Sequence, residues 1–289
     1  AVSARQCGSA IKPVSTYAPA LDNGTINGAS VIDDYPMLLN GEVWPRNANW
    51  RYQGLTALHT AIAQSLNTCA VRTNLAYGVS NSYDFLVDKL GFENLTYTDS
   101  QQVGNMALGG FEKGVTTEEM SAAYAAFVNE GVYTKPRTFI RVEDANGNVV
   151  LENEAQSTVA MKNTTAAIIN HLLQEAALNG TGYEAQFSGM HIAGKTGSTN
   201  SNKDRYFVGY TPYYSCAVWA GYEHNQRIVA SGNPCSAVFR KVMSAIHADL
   251  PDKDFFSCAG LTSVAVCADS GMLASENCAL DVRGNPHLP

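Results

Sequence analysis

The chain has 289 residues, of which 45% are apolar and 16% charged. That is enough for a sizeable core in one large domain or two modest ones, and it argues against disorder. A net charge of -7 with no basic stripe gives no reason to expect a nucleic-acid partner. No apolar run approaches the ~20 residues of a membrane span, and no charged-then-apolar leader opens the chain.

In chain order, residues 9–22 read as a helix, with Ile11, Val14, Ala18 and Leu21 at helical spacing before Asn23-Gly24. Residues 25–54 are rich in Asn, Gly, Asp and Pro and read as loop with little regular structure. A helix is predicted over 56–77, closed by Gly78 and interrupted or capped at Ser65-Leu66-Asn67. Further helices are predicted near 80–90, 117–130 and 163–178. Strands follow at 191–199, 205–210 and 215–222, with Thr211-Pro212 turning the last two, and a final helix spans 236–248. Helices first and adjacent antiparallel strands later make an α+β pattern.

The seven cysteines are an odd number, so at least one thiol is unpaired within the chain. Cys69 and Cys216 sit in helical and apolar surroundings that suit buried small hydrophobes. Cys258, Cys267 and Cys278 fall in a loop-rich tail, where a disulfide is open. With no Cys-x-x-Cys pair or nearby His, no metal site is expected, and nothing in the chain calls for a cofactor.

Three short motifs carry chemistry. Ser9-Ala10-Ile11-Lys12 is the one Ser-x-x-Lys in the chain. Placed at a helix start, its spacing puts serine and lysine on one face, where the amine reaches the hydroxyl and the helix end favours developing negative charge. A surface serine and lysine is the plain alternative. Ser-x-Asn occurs four times, at Ser65, Ser198, Ser231 and Ser275, and only Ser65-Leu66-Asn67 lies between the other two motifs. Taken alone, Asn67 could be a helix cap. Lys195-Thr196-Gly197 lies on a predicted strand followed by Ser198-Thr199, where a cation and hydroxyls suit a substrate carboxylate. A solvated edge strand guarded by a lysine is its plain reading. In this order the trio describes a serine acyl-enzyme activated by lysine, the motif set of serine β-lactamases and penicillin-binding proteins.

Longer runs narrow that. Arg5-Gln6-Cys7-Gly8-Ser9-Ala10-Ile11-Lys12-Pro13, then Ala107-Leu108-Gly109-Gly110 with Gly114-Val115-Thr116, precede Ala193-Gly194-Lys195-Thr196-Gly197-Ser198-Thr199. Lys203-Asp204-Arg205-Tyr206-Phe207-Val208-Gly209-Tyr210-Thr211-Pro212 follows. Over residues 1–250 the chain resembles the transpeptidase domain of class A, bifunctional penicillin-binding proteins. Cys7 stands where that family has proline. The resemblance implies the penicillin-binding-protein/serine β-lactamase fold, an antiparallel sheet flanked by helices, here expected to lack its first strands. It also implies a transpeptidase domain over 1–250 followed by a tail over 251–289. A glycosyltransferase module and a membrane anchor are expected outside this chain, at the extracytoplasmic face of a bacterial membrane.

The activity implied is that of a serine-type D-Ala-D-Ala transpeptidase/carboxypeptidase acting on stem peptides of peptidoglycan, inhibited by β-lactams. Ser9 would be the nucleophile and Lys12 its base, with Lys195 the cation that keeps Lys12 partly neutral. Ser65 would relay a proton and Asn67 orient Lys12 and the substrate amide. Thr196, Gly197, Ser198 and Thr199 would bind substrate, and the backbone N–H groups of Ser9 and Ser198 would form the oxyanion hole. A serine β-lactamase normally carries a Glu-x-x-Leu-Asn loop; the one run here with that spelling, Glu175-Ala176-Ala177-Leu178-Asn179, falls at the end of the helix predicted over 163–178 and not in a loop, and Glu93 is followed by Asn94-Leu95. The same motifs would also suit a β-lactam sensor that is acylated without turnover, or an inactive fragment. A His-dependent serine hydrolase would need a Gly-x-Ser-x-Gly elbow, and there is none.

Overall fold

The computed structural model describes residues 2–39, 41–267, 269–276 and 278. Its first helical stretch lies where predicted, yet it is not one α-helix. A 3₁₀ turn at Gly8–Ile11 passes into a π-helical turn at Pro13–Tyr17 and only then into α1 (Ala18–Asp22). Pro13 has no N–H to offer the Ser9 carbonyl four residues back, so the Lys12 N–H takes that carbonyl instead.

Residues 25–54 hold more structure than their composition suggests. Strand β1 (Val31–Asp34), β2 (Leu38–Leu39) and β3 (Glu42–Val43) lie in or beside the expected loop, and β4 (Gly54–Ala57) closes it. β1 pairs with β4 and β2 with β3, both antiparallel. Strands of two to four residues show no usable alternation, which is why the pattern missed them. The helix predicted over 56–77 is two, α2 (Leu58–Ala63) and α3 (Asn67–Tyr77), broken at the Ser-Leu-Asn motif. α4 (Val79–Asp84) with a π turn at Phe85–Lys89 fills the next predicted helix. α5 (Tyr97–Gln101) and α6 (Val103–Leu108) were not anticipated.

α7 (Thr117–Val128) starts on a reciprocal cap, the Thr116 hydroxyl accepting from the Glu119 N–H while the Glu119 carboxylate accepts from the Thr116 N–H. Four short strands follow, again unpredicted: β5 (Val132–Thr134), β6 (Arg141–Glu143), β7 (Val149–Glu152) and β8 (Ser157–Val159). β5 pairs with β8, and β6 with β7 as an exposed hairpin. α8 (Asn163–Leu178) then leads into β9 (Ala193–Ser198), β10 (Asp204–Tyr210), β11 (Ser215–Gly221) and α9 (Pro234–Ile246), each within two residues of its predicted bounds.

β9, β10 and β11 form one antiparallel sheet with β10 central, so β9 is an edge strand. Helices cover both faces, as an α+β sheet requires. Tyr206, Val208 and Tyr210 pack into the main core with α7, α8 and the first helical stretch. Phe207, on the opposite face, joins Phe239 and Met243 of α9, its ring 4.8 Å from that of Phe239. Fully burying such aromatic side chains stabilises by ~1.5–3 kcal/mol each.

Beyond 250 the described residues pack back without forming a named helix or strand. The Tyr213 hydroxyl donates to the Pro251 carbonyl at 3.0 Å, and the Phe255 ring stands 5.4 Å from that of Tyr210. All seven cysteines are free thiols, so the disulfide left open for the tail is not formed here. Cys69 is buried as expected, whereas Cys216 on β11 is half-buried. Residues 279–289 of the tail lie outside the described residues.

Candidate active site

A cleft of about 1630 Å³ runs between the helical half and the edge of β9. Ser9, Ser65, Asn67, Thr196, Ser198 and Thr199 line it; Lys12, Lys195 and Gly197 stand behind its wall. All nine residues singled out in the sequence therefore lie in or directly behind one cleft.

Ser9 sits on the 3₁₀ turn, partly exposed to the cleft, and that turn is braced by glycines from the middle of the chain. Gly109, at φ +73°, accepts a hydrogen bond from the Gly8 N–H at 3.3 Å, and a side chain on it would collide with the Gly8 backbone. Arg5 and Val115 exchange backbone hydrogen bonds of 2.9 and 2.8 Å, and Gly114 leaves room for the Arg5 backbone. On the other side, a side chain on Gly197 would run into the Cys7 carbonyl. The glycine of Lys195-Thr196-Gly197 thus permits the close approach of the Cys7 backbone. Cys7 is fully buried, and burial pushes its thiol far above its ordinary range. It is a neutral packing group, not a second nucleophile.

Lys12 is completely buried and its amine is bonded to the second motif. Nζ donates to the Asn67 Oδ1 at 2.7 Å, the Ser65 carbonyl at 2.8 Å, the Ser65 Oγ at 3.3 Å and the Leu66 carbonyl at 3.4 Å. Ser65 takes a left-handed conformation, φ +59°, which costs a non-glycine residue ~1–2 kcal/mol. That turn breaks the 56–77 helix and directs the Ser65 and Leu66 carbonyls at Lys12. Among the described residues, Ser9 Oγ has no hydrogen-bond partner, and Lys12 does not reach it. Catalytic hydrogen bonds are often long before substrate binds.

Lys195 is also fully buried, with one acceptor, the Thr196 carbonyl at 3.3 Å. Burial pushes its pKa down to about 7. Lys12 is held well below the ordinary lysine range, first by burial and then by the positive charge of Lys195. The like-charge effect expected from the sequence is therefore present but second to desolvation.

The hydroxyls of the strand wall are tied to neighbours that the motifs did not single out. Thr196 Oγ1 bonds Thr181 Oγ1 at 2.7 Å. Ser198 Oγ accepts from Arg205 Nη1 at 3.0 Å, and Thr199 Oγ1 donates to the Asp204 carboxylate at 3.1 Å while accepting the Asp204 N–H at 2.9 Å. Thr199 is thus engaged in its own turn. Thr181, from the loop after α8, belongs to no motif. The one signal for Asp204 and Arg205 was their place in the run after Lys195.

The match with a family model, "Penicillin binding protein transpeptidase domain", covers residues 2–244. Penicillin-binding protein 1A of Clostridium perfringens is 34% identical over 97% of this chain and 35% of its own length. Penicillin-binding protein 1A/1B of Bacillus subtilis is 33% identical over 85% of this chain and 28% of its own. The chain spans about a third of the curated relatives it matches. In fold it is similar to the crystal structure of penicillin-binding protein 1A from Haemophilus influenzae, with a TM-score of 0.80 at 22% identity, over 94% of this chain and 47% of that one. The chain belongs to the penicillin-binding protein transpeptidase domain family.

Proposed function

We propose that this chain is a serine D,D-transpeptidase that cross-links peptidoglycan stem peptides at the extracytoplasmic face of a bacterial membrane, within a larger protein that supplies the anchor and a glycosyltransferase module. The observation that carries the reading is Lys12, a buried amine held by Ser65 and Asn67 directly behind the cleft that Ser9 enters. Residues 1–250 would carry the chemistry and 251–289 form the tail. No metal or organic cofactor enters any step.

Neutral Lys12 takes the Ser9 proton as Oγ attacks the carbonyl carbon of the penultimate D-alanine, forming a C–O bond. The backbone N–H groups of Ser9 and Ser198 receive the oxyanion. Close contact of the Gly8 and Ser198 backbones supports this, since it brings the two donors to one end of the cleft. The C–N bond then breaks, and the proton passes through Ser65 to the departing D-alanine amine. An amine of a second stem peptide attacks the ester and Lys12 accepts its proton; the C–O bond breaks as a new amide forms, and Lys12 returns the proton to the Ser9 Oγ. Asn67 orients Lys12 and the substrate amide. Edge strand β9 would pair with the extended donor peptide. The charge of Lys195 and the Thr196 and Ser198 hydroxyls would meet its carboxylate.

Rapid hydrolysis of the ester, as in a β-lactamase, needs a base for water. Glu42 and Glu112 are the glutamates of the cleft wall, and neither hydrogen-bonds to Ser9, Lys12, Ser65 or Asn67. A bound β-lactam should therefore persist for many minutes, because general-base help worth ~10²–10⁴ in rate is missing. The test is a pulse of fluorescent penicillin followed by excess unlabelled drug, with the adduct mapped by mass spectrometry. Label on Ser9, absent from Ser9→Ala and lasting through the chase, supports the reading. An adduct on Ser65 or a cysteine, or loss of label within seconds, overturns it.

A further inference from the structure

The Ser65-Leu66-Asn67 corner is held from outside its own helix. α3 begins after Leu66, whose side chain has no oxygen to cap the first N–H groups. Asn47, twenty residues earlier in the chain and almost fully buried, supplies it. Asn47 Oδ1 accepts from the Asn67 N–H at 2.8 Å and faces the Thr68 N–H at 3.4 Å. Its amide cannot turn over. Nδ2 donates to the Asp34 carboxylate at 2.7 Å and to the Arg51 carbonyl at 2.9 Å. Asp34 is itself wholly buried, with no ion pair to a cation among the described residues; Asn47, the Thr68 hydroxyl and the Gln53 N–H at 2.9 Å satisfy it.

The neighbouring Arg46 carbonyl accepts from Asn67 Nδ2 at 2.7 Å. With its nitrogen fixed there, the Asn67 amide can present only its oxygen to Lys12, 2.7 Å away. Asp34 therefore sets the Asn47 amide, Asn47 sets the start of α3, and the Arg46–Asn47 segment sets which end of Asn67 meets the lysine. Burying a carboxylate without a counter-ion is costly unless it is fully hydrogen-bonded, so this arrangement has one stable form.

We propose that Asp34 and Asn47 are positioning residues for the acyl-transfer site, acting through Asn67 to aim and tune the Lys12 amine. The inference rests on the proposed acyl-enzyme chemistry. Other groups also face Lys12: Ser65, the Leu66 carbonyl, Lys195, whose charge lowers its pKa, and Cys69, which acts the other way. Of these, the Ser65 and Leu66 carbonyls and the Asn67 Oδ1 favour the ammonium. Loosening the corner removes acceptors from the ammonium and lowers the lysine pKa further.

The expected signature is a pair of changes that simple unfolding would not produce. In full-length Asn47→Ser, acylation by a fluorescent penicillin should slow by about 10–100-fold, the range of a small misplacement of a reacting group. At the same time, the acidic limb of the acylation pH profile should move to lower pH. Asn47→Asp should be worse, because two carboxylates would then face each other. Asp34→Asn combined with Asn47→Asp restores a donor and an acceptor between the two positions but sets a carboxylate against the Arg51 carbonyl, so it should recover only part of the rate lost in Asn47→Asp. A cooperative melt, run on each variant, confirms that it folds. If wild type labels and folded Asn47→Ser acylates at the wild-type rate or with an unmoved limb, the positioning role is overturned. If wild type itself does not label, the proposed function has failed first.

Discussion

The two walls of the cleft hold their lysines in opposite ways. On the helical wall, Lys12 meets four acceptors, three of them delivered by the broken turn at Ser65 and Leu66. On the strand wall, Lys195 is equally buried but meets one carbonyl at 3.3 Å. A buried amine surrounded by acceptors is fixed in place; one without them is left to interact with whatever anion arrives. Under the proposed function, the difference would separate a positioned base from a cation free to meet a substrate carboxylate, although burial lowers the pKa of both.

The sharpest way to break this contrast is Lys12→Met. The acylation rate should fall by ~10²–10⁴, the range of a positioned general base. Loss of the amine leaves the Ser65 carbonyl and the Asn67 Oδ1 without that donor, so the melting temperature should fall, each unsatisfied buried acceptor costing ~1–3 kcal/mol. A folded Lys12→Met protein that acylates at the wild-type rate would remove the base from this wall.

A smaller effect is expected on the strand wall. Lys195→Met should weaken acylation by about 10-fold or more, mainly through poorer capture of a carboxylate-bearing substrate. Because a like charge is lost, the Lys12 pKa should rise, and the acidic limb should move to higher pH. This is opposite in sign to the shift expected for Asn47→Ser, so the two variants separate charge from alignment. An unmoved limb in Lys195→Met would mean that burial alone tunes Lys12.

The smallest effect is on stability. Lys195 titrates at about 7 in the folded chain against an ordinary value of 10.5. Between these values the unfolded chain binds the extra proton, so stability should rise with pH, by ~1.4 kcal/mol per unit at most. From pH 7 to 8 that amounts to roughly 1 kcal/mol, and the window stops below the ordinary titration of the buried thiols at 9.0. Melting curves of wild type and Lys195→Met across this window should converge at the alkaline end. Parallel curves would show that the amine is not the buried, neutralised group described above.

Much of this was legible in the sequence. Spacing alone placed Ser9 and Lys12 on one turn, marked Ser65-Leu66-Asn67 as an interruption or cap of the 56–77 helix, and put Lys195-Thr196-Gly197 on a strand beside two more. These are local properties of turn residues, periodicity and β-branched bias, which act over a few residues. The two- to four-residue strands around 31–57 and 132–159, and the short helices at 97–108, are held by pairing and packing with distant segments and leave no periodic trace.

The sequence by itself determined the three motifs, their order, and the α+β succession of elements that carries them. Only the tertiary structure decided that Lys12 bonds Ser65 and Asn67 and not Ser9. It also showed that Gly197 and Gly109 serve the close approach of backbones, and that Asn47 and Asp34 brace a motif twenty and more residues away. Hydrogen bonds across such separations depend on how whole elements dock. Polar groups buried by that docking must find partners wherever the fold brings them, and chain spacing does not encode that.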